Sequence, residues 1–307
     1  MNKPSELFQV VLAFIAIYII WGSTYLAIAY AIETMPPIFM AGSRFFLAGI
    51  ILLLIAFLNG SKLPTGENWK ASFISGIFLL VGGNLSVVWA EQYIPSSIAA
   101  IVVATVPIWM VMMDRSQWAD LFKNIYLILG LIVGFLGVIF LIGFDTSITD
   151  HHPEKGLLGF SLIILATISW AWGTIYSKRP THHNNTLVKS GLQMFTAGGV
   201  MLLLSLVTGD AFDFSISKVS WQSGTAFIYL IIFGTIIGYS AFVWLVKIRP
   251  PALVGTYAYV NPIVAVFLGW LMRDEPITLQ TYISLLIILV GVFMVNYSYF
   301  LNKKRGK

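Results

Sequence analysis

A chain of 307 residues that is 58% hydrophobic and 10% charged, with a mean hydropathy of +0.86, cannot be a water-soluble globule, whose charged fraction is typically about 25%. The formal net charge of +5 reads as an orientation signal, since the cations gather at the ends of apolar runs, and nucleic acid is not an expected partner. The absence of cysteine excludes disulfides and thiolate metal sites.

Crossing about 30 Å of hydrocarbon takes about 20 apolar residues per helix. Ten such runs are expected, at 8–31, 36–58, 70–91, 95–113, 123–144, 156–177, 187–207, 223–246, 250–271 and 277–300. They are continuously apolar and do not alternate, which excludes a β-barrel. The expected fold is an all-α integral membrane protein of ten transmembrane helices. The first run follows Lys3 but far exceeds the apolar core of a secretory signal, about 7–15 residues, and is read as a span.

Run one carries Trp21 and Tyr25, four apart and so on one helix face. Run two carries Arg44, about eight residues and 12 Å past Pro36, the one charge well inside a run. Intramembrane charge is costly and reads as functional; the alternative is an arginine that ties carbonyls together or pairs with Glu33 or Glu91. Run three supplies Asn84 and Trp89 as candidate substrate contacts and ends at Glu91, read as an interfacial residue or an outer gate. In run four Pro107 lies about 12 residues and 18 Å in. It has no N–H and frees the carbonyl of Val103, which suits either a hinge or a packing kink. Gly130 and Gly134 in run five permit close helix contact, and a homodimer is one use of such a face.

The second half returns to the same themes. Trp172 and Tyr176 in run six repeat the spacing of Trp21 and Tyr25. Tyr239 in run eight and Tyr257 and Tyr259 in run nine add hydroxyls at membrane depth, and Asn261 is placed to bond substrate or a freed carbonyl. Pro262 lies at the depth of Pro107 and frees the carbonyl of Ala258. Rings with hydroxyls suit partly apolar metabolites, giving contact area with few fixed hydrogen bonds.

These likenesses are systematic. The stretch from Trp89 through Pro95 to Pro107 recurs 155 residues later as Trp244 through Pro250 to Pro262. Trp21-Gly22-Ser23-Thr24 pairs with Trp172-Gly173-Thr174 at an offset of 151, and Gly137-Val138 with Gly291-Val292 at 154. The chain is read as two five-helix repeats, 1–150 and 151–307, and an odd number of spans makes them inverted. With the N-terminus in the cytoplasm, fourteen of the eighteen lysines and arginines fall inside and three outside, so both termini are expected to be cytoplasmic. Inverted repeats give many secondary transporters two states around one midplane site.

The thirteen carboxylates all lie in loops or at helix ends, which disfavours tight proton coupling through a midplane acid. His151-His152 and His182-His183 lack metal-ligand spacing, and no cofactor or metal is expected. A membrane enzyme would need a nucleophile or acid–base group at a working spacing, and a channel-like pore would need a filter or charged ring. Neither pattern is present.

The order of Trp21-Gly22-Ser23-Thr24, of Pro37 through Arg44-Phe45, of the Trp89-to-Pro107 stretch and of Arg273-Asp274-Glu275-Pro276-Ile277-Thr278 resembles the EamA family of the drug/metabolite transporter superfamily over essentially the whole chain. That resemblance implies a secondary transporter of the bacterial inner (plasma) membrane. Its partners would be the lipid bilayer and a small-molecule substrate, an exported amino acid or another small metabolite or drug. The loop after run four, Met113-Asp114-Arg115-Ser116-Gln117, departs from the pattern by lacking the Gly/Asp-Glu signature that the loop after run nine keeps. The halves are therefore not expected to contribute symmetrically.

Overall fold

The computed structural model describes residues 6–113, 124–144, 155–178, 185–249, 254–255 and 257–305. In chain order the helices are α1 (Glu6–Ala31), α2 (Pro37–Leu58), α3 (Gly66–Ala90), α4 (Ser96–Val103), α5 (Val106–Met113), α6 (Ile125–Phe144), α7 (Gly156–Ser177), α8 (Thr186–Thr208), α9 (Trp221–Ile248), α10 (Tyr257–Arg273) and α11 (Leu279–Arg305). Six of them (α1, α2, α3, α7, α8 and α9) are long and apolar enough to cross a membrane. Apolar stretches at Ser96–Met110, Ile125–Gly137, Val260–Arg273 and Leu279–Gly291 stand where the other four runs are expected. The two histidine pairs, the loop of Asp114 to Gln117, and Pro250 and Pro251 lie outside the described residues.

Run four is not one helix. The chain turns at Ala104 and Thr105 before α5 begins, and the Thr105 hydroxyl donates to Val102 O at 2.8 Å. Pro107 therefore stands in the first turn of α5, where the missing N–H removes no helical bond. Pro262 lies inside α10. The two prolines match in sequence depth, but Pro107 follows a break whereas Pro262 lies within a continuous helix.

Two helix starts are capped from far along the chain. The carboxylate of Asp210, just past α8, accepts from Phe39 N at 2.7 Å and from the Ser205 hydroxyl at 2.9 Å, fixing the first turn of α2. Glu275, past α10, accepts from Ser96 N and Oγ at 3.2 and 2.6 Å and from Ser97 N at 3.0 Å, fixing the start of α4. A carboxylate there satisfies orphan N–H groups and meets the positive end of the helix dipole. The Arg273–Thr278 segment singled out in the sequence thus ties the end of α10 to the start of α4. At this same end Glu33 pairs with Arg273 and the Tyr30 hydroxyl donates to Met272 O. At the opposite end Glu6 pairs with Arg249 at 3.1 Å and Asn185 donates to the Ser61 hydroxyl at 2.7 Å.

Several helix pairs pack at backbone distance, among them α2 with α8 and α6 with α11. In α2 against α8, a Cβ on Gly198 would fall on the Phe46 backbone. In α6 against α11, a Cβ on Gly291 would meet Gly134 N at 2.5 Å and Gly130 O at 2.8 Å. The Gly130–Gly134 face is thus covered by α11 of the same chain, and a homodimer through it would first have to displace that helix.

Three spans contain π-helical stretches, at Ala16–Ile20, Ile77–Leu85 and Leu230–Tyr239. Winding to i→i−5 bonds leaves carbonyls without a helical donor, which hydrocarbon does not forgive. Side chains of other helices supply the donors. The Ser169 hydroxyl donates to Phe78 O at 2.7 Å, and the Trp21 indole N–H donates to Gly234 O at 3.1 Å. The Asn261 amide nitrogen, turned toward α1, donates to Ile17 O at 3.2 Å, Tyr18 O at 2.9 Å and Tyr257 O at 3.1 Å. Glycines allow the approach, because a Cβ on Gly238 would lie 2.6 Å from Trp21 Nε1 and one on Gly83 2.9 Å from the Trp170 ring.

Candidate functional site

The π-helical stretches and the broken run four converge on one cavity, lined by residues from Trp21 to Val106 and from Ala166 to Asn261. Trp21, Tyr25, Arg44, Asn84, Tyr239, Tyr257 and Asn261 all line it, as do Thr24, Val103, Thr167 and Trp170. Its non-atom space, counted out to the open rim, is about 680 Å³, an upper bound that limits a cargo to the size of a small molecule.

Aromatic rings form one wall of the cavity. The Trp21 ring meets Trp170 at 5.5 Å and 84°, and Tyr257 at 5.3 Å and 87°. Phe242 lies 5.1 Å from Trp21 and 5.4 Å from Trp170. Edge-to-face rings are rigid and favourable. Tyr239 is anchored behind the wall, its hydroxyl donating to Gln193 Oε1 at 3.1 Å while Gln193 Nε2 donates to the Ser75 hydroxyl at 2.7 Å.

Arg44 enters from α2, only 3% exposed. Its Nε donates to the Thr235 hydroxyl at 2.6 Å, and its guanidinium lies 4.5 Å from the Phe45 ring centroid. Nη1 is buried with no hydrogen-bond partner. Glu33 is taken by Arg273, and Glu91 is near enough to act on Arg44 electrostatically but makes no hydrogen bond to it. The pairings considered from sequence are therefore not made. Asn84 Oδ1 is likewise buried and unpartnered. A buried donor and a buried acceptor left open in an aromatic cavity is an unmet demand that a polar ligand would satisfy.

Three expected contacts are placed elsewhere. Trp172 stacks on Tyr176 at 5.0 Å and on Phe78 at 4.0 Å, and is 36% exposed. The two are on one face as expected, but neither lines the cavity. Trp170, two residues earlier and about 200° around the helix, takes the cavity position. Aligning Trp-Gly-Thr with Trp-Gly-Ser-Thr selects the wrong tryptophan, although the small residues Ala166 and Thr167 a turn before Trp170 mark the face that opens. Trp89 is half-buried against the apolar core that includes Ile28 and Val88, off the Leu80, Asn84 and Val87 face. Tyr259 lies in α10, and its side chain is outside the described residues. Glu91 stands in the turn past Ala90, outside the cavity lining, with both carboxylate oxygens buried. Among the described residues no three of His, Asp or Glu could hold a metal ion.

The EamA-like transporter family matches residues 8–143 and again 157–297. The Escherichia coli K12 protein named "Uncharacterized inner membrane transporter YedA" is 36% identical over 284 residues, covering 92% of this chain and 89% of that one. The Bacillus subtilis 168 protein named "Uncharacterized transporter YoaV" is 26% identical, covering 95% and 98%. A crystal structure at 17% identity superposes with a TM-score of 0.65 over 94% of this chain and 97% of the other, a likeness of fold.

Proposed function

The chain belongs to the EamA-like transporter family and is thus a membrane transporter, and we propose that it exports amino acids or other small metabolites, drugs included, by alternating access through the central cavity. The observation that carries this reading is the unpartnered Arg44 Nη1 and Asn84 Oδ1 within an aromatic cavity built from both halves. The guanidinium would hold a carboxylate, the amide oxygen would accept from an ammonium or amide N–H, and the rings would take an apolar body.

Ten spans in two inverted halves, 1–150 and 151–307, account for the contacts at both ends. Glu6 and Arg249, separated by eight crossings in this scheme, meet at one end; Glu33 and Arg273, also separated by eight, meet at the other. The family match falls once in each half. The distribution of cations places the Glu6 end in the cytoplasm, so the Glu275 end faces outward with Glu91 as part of its gate. Pro262 and the Ala104–Thr105 break before Pro107 are the points at which the halves flex. The bacterial inner membrane is the setting, and catalysis has no part in the cycle.

The test is the metabolite-release profile of cells overexpressing the chain, against cells carrying Arg44→Gln at matched membrane levels. A carboxylate-bearing compound should accumulate outside wild-type cells and fall to the empty-vector level with the variant. A wild-type profile equal to the vector, or one that Arg44→Gln leaves unchanged, contradicts the reading.

A further inference from the structure

Glu91 carries an acid where the fold offers it nothing to bond. Its N–H donates to Val87 O at 3.0 Å, which fixes the turn, yet both side-chain oxygens are buried without a hydrogen bond. The groups near enough to act on it electrostatically are Glu275 from the loop after α10, Arg273 from the end of α10, Arg44 from α2 and Tyr25 from α1; α7 also packs on this turn, against Ala90 O and Ile94, and Lys155 just before it lies 5.5 Å from the Tyr93 ring centroid. Each is engaged elsewhere or makes no bond to Glu91. Glu275 spends both oxygens on α4, Arg273 is paired with Glu33 and lies 5.0 Å from the Tyr30 ring centroid, and Arg44 is bonded to Thr235. Burial without a bond favours the neutral acid over the carboxylate. The charge of Glu275 acts in the same sense, and those of Arg273 and Arg44 oppose it.

Two of the groups that act on Glu91, Glu275 and Arg273, belong to the contacts that tie this end together. Glu275 on the start of α4, Glu33 with Arg273, and Tyr30 with Met272 O all join the first half to the second. Parting them admits water to Glu91, where an ordinary glutamate ionises with a pKa of about 4.3.

We propose that Glu91 is a proton-binding site of the transport cycle, taking a proton from the outer water as the Glu275 end closes and returning it to that water when the end opens. This rests on the alternating-access reading. The proton is then a second ligand of the carrier, and an acid exterior favours closure of this end and return of the empty carrier. The sign follows from linkage. Because the closed end binds the proton more tightly, raising the pH above the ordinary glutamate value shifts the balance toward the open end. The shift is at most about tenfold per pH unit for one proton, and it ceases once the closed form also ionises.

Two measurements on the full-length protein test this. Infrared difference spectra of wild type and Glu91→Gln in lipid nanodiscs near neutral pH should differ by one protonated-carboxyl band. Identical spectra in that region overturn the proposal. The chain has no native cysteine, so Ile94→Cys, 3% exposed beside Glu91, can report opening through an impermeant thiol reagent. Its rate is normalised to Phe212→Cys, exposed at the same end, to remove the reagent's own pH dependence. The normalised rate should rise with pH, by up to about tenfold per unit, and Glu91→Gln should leave it low and flat. A rise that survives Glu91→Gln overturns the proposal while leaving alternating access intact. If the carboxyl band is present but neither Ile94→Cys nor Tyr93→Cys labels at any pH, the end does not open, and alternating access falls with it.

Discussion

Residue by residue, the cavity separates side chains the protein has already satisfied from those it has left open. Asn261 looks like a substrate ligand in the sequence, but its amide nitrogen is spent on three carbonyls of α1 and α10. Arg44 and Asn84 each keep one buried atom free. Tyr239 belongs with the satisfied groups. Its hydroxyl is the donor to Gln193 Oε1, and Gln193 is fully buried, so no water replaces what Tyr239→Phe removes. That variant should lose about 1–3 kcal/mol, the cost of an orphaned buried acceptor, seen as a lower thermal midpoint in detergent. Tyr282→Phe, at a residue 54% exposed, should leave the midpoint where it was. Equal midpoints for the two variants would show that the Tyr239–Gln193 bond holds nothing together.

Among the elements, the helices that touch through backbone fix the frame around the cavity. A Cβ on Gly291 meets Gly134 N at 2.5 Å, whereas one on Gly199 meets only the Phe46 ring at 3.9 Å. Gly291→Ala should therefore push α11 off α6 and lower the thermal midpoint. Gly199→Ala, on a helix interior with room to spare, should be neutral or stabilising by up to about 1 kcal/mol. Two unchanged midpoints would mean the α6–α11 contact yields freely. The positions of these elements were legible in the sequence because hydrocarbon imposes a length and an apolar content on each span. Their internal winding was not. The π-helical stretches depend on Trp21, Ser169 and Asn261 reaching from other helices, and no local pattern announces a donor that arrives from more than 90 residues away. Trp172 illustrates the same limit, since a dipeptide shared with Trp21-Gly22 does not say which face of α7 lines the cavity, and Trp170 is the tryptophan found there. Glu91 was legible as a helix end, while the charges that act on it, Glu275 and Arg273, come from more than 180 residues away.

For the whole molecule, the contacts that tie each end and the cavity between them lead to a single proposal, that the cavity is reached from one side at a time. The Glu33–Arg273 pair and the Glu275 cap tie the halves at one end, and the Glu6–Arg249 pair ties them at the other. An exporter must break one set while keeping the other; a pore would leave a path through both. The decisive measurement puts one cysteine at Val103, which lines the cavity, in a chain whose Glu33 and Arg273 are also replaced by cysteines and joined by a short bifunctional thiol reagent. The cavity cysteine is kept masked until that joining is complete. With the Glu275 end locked, Val103→Cys should be labelled by an impermeant reagent only from the Glu6 side, and without the lock it should be labelled from either. Labelling of the locked protein from the Glu275 side would contradict alternating access and leave a pore.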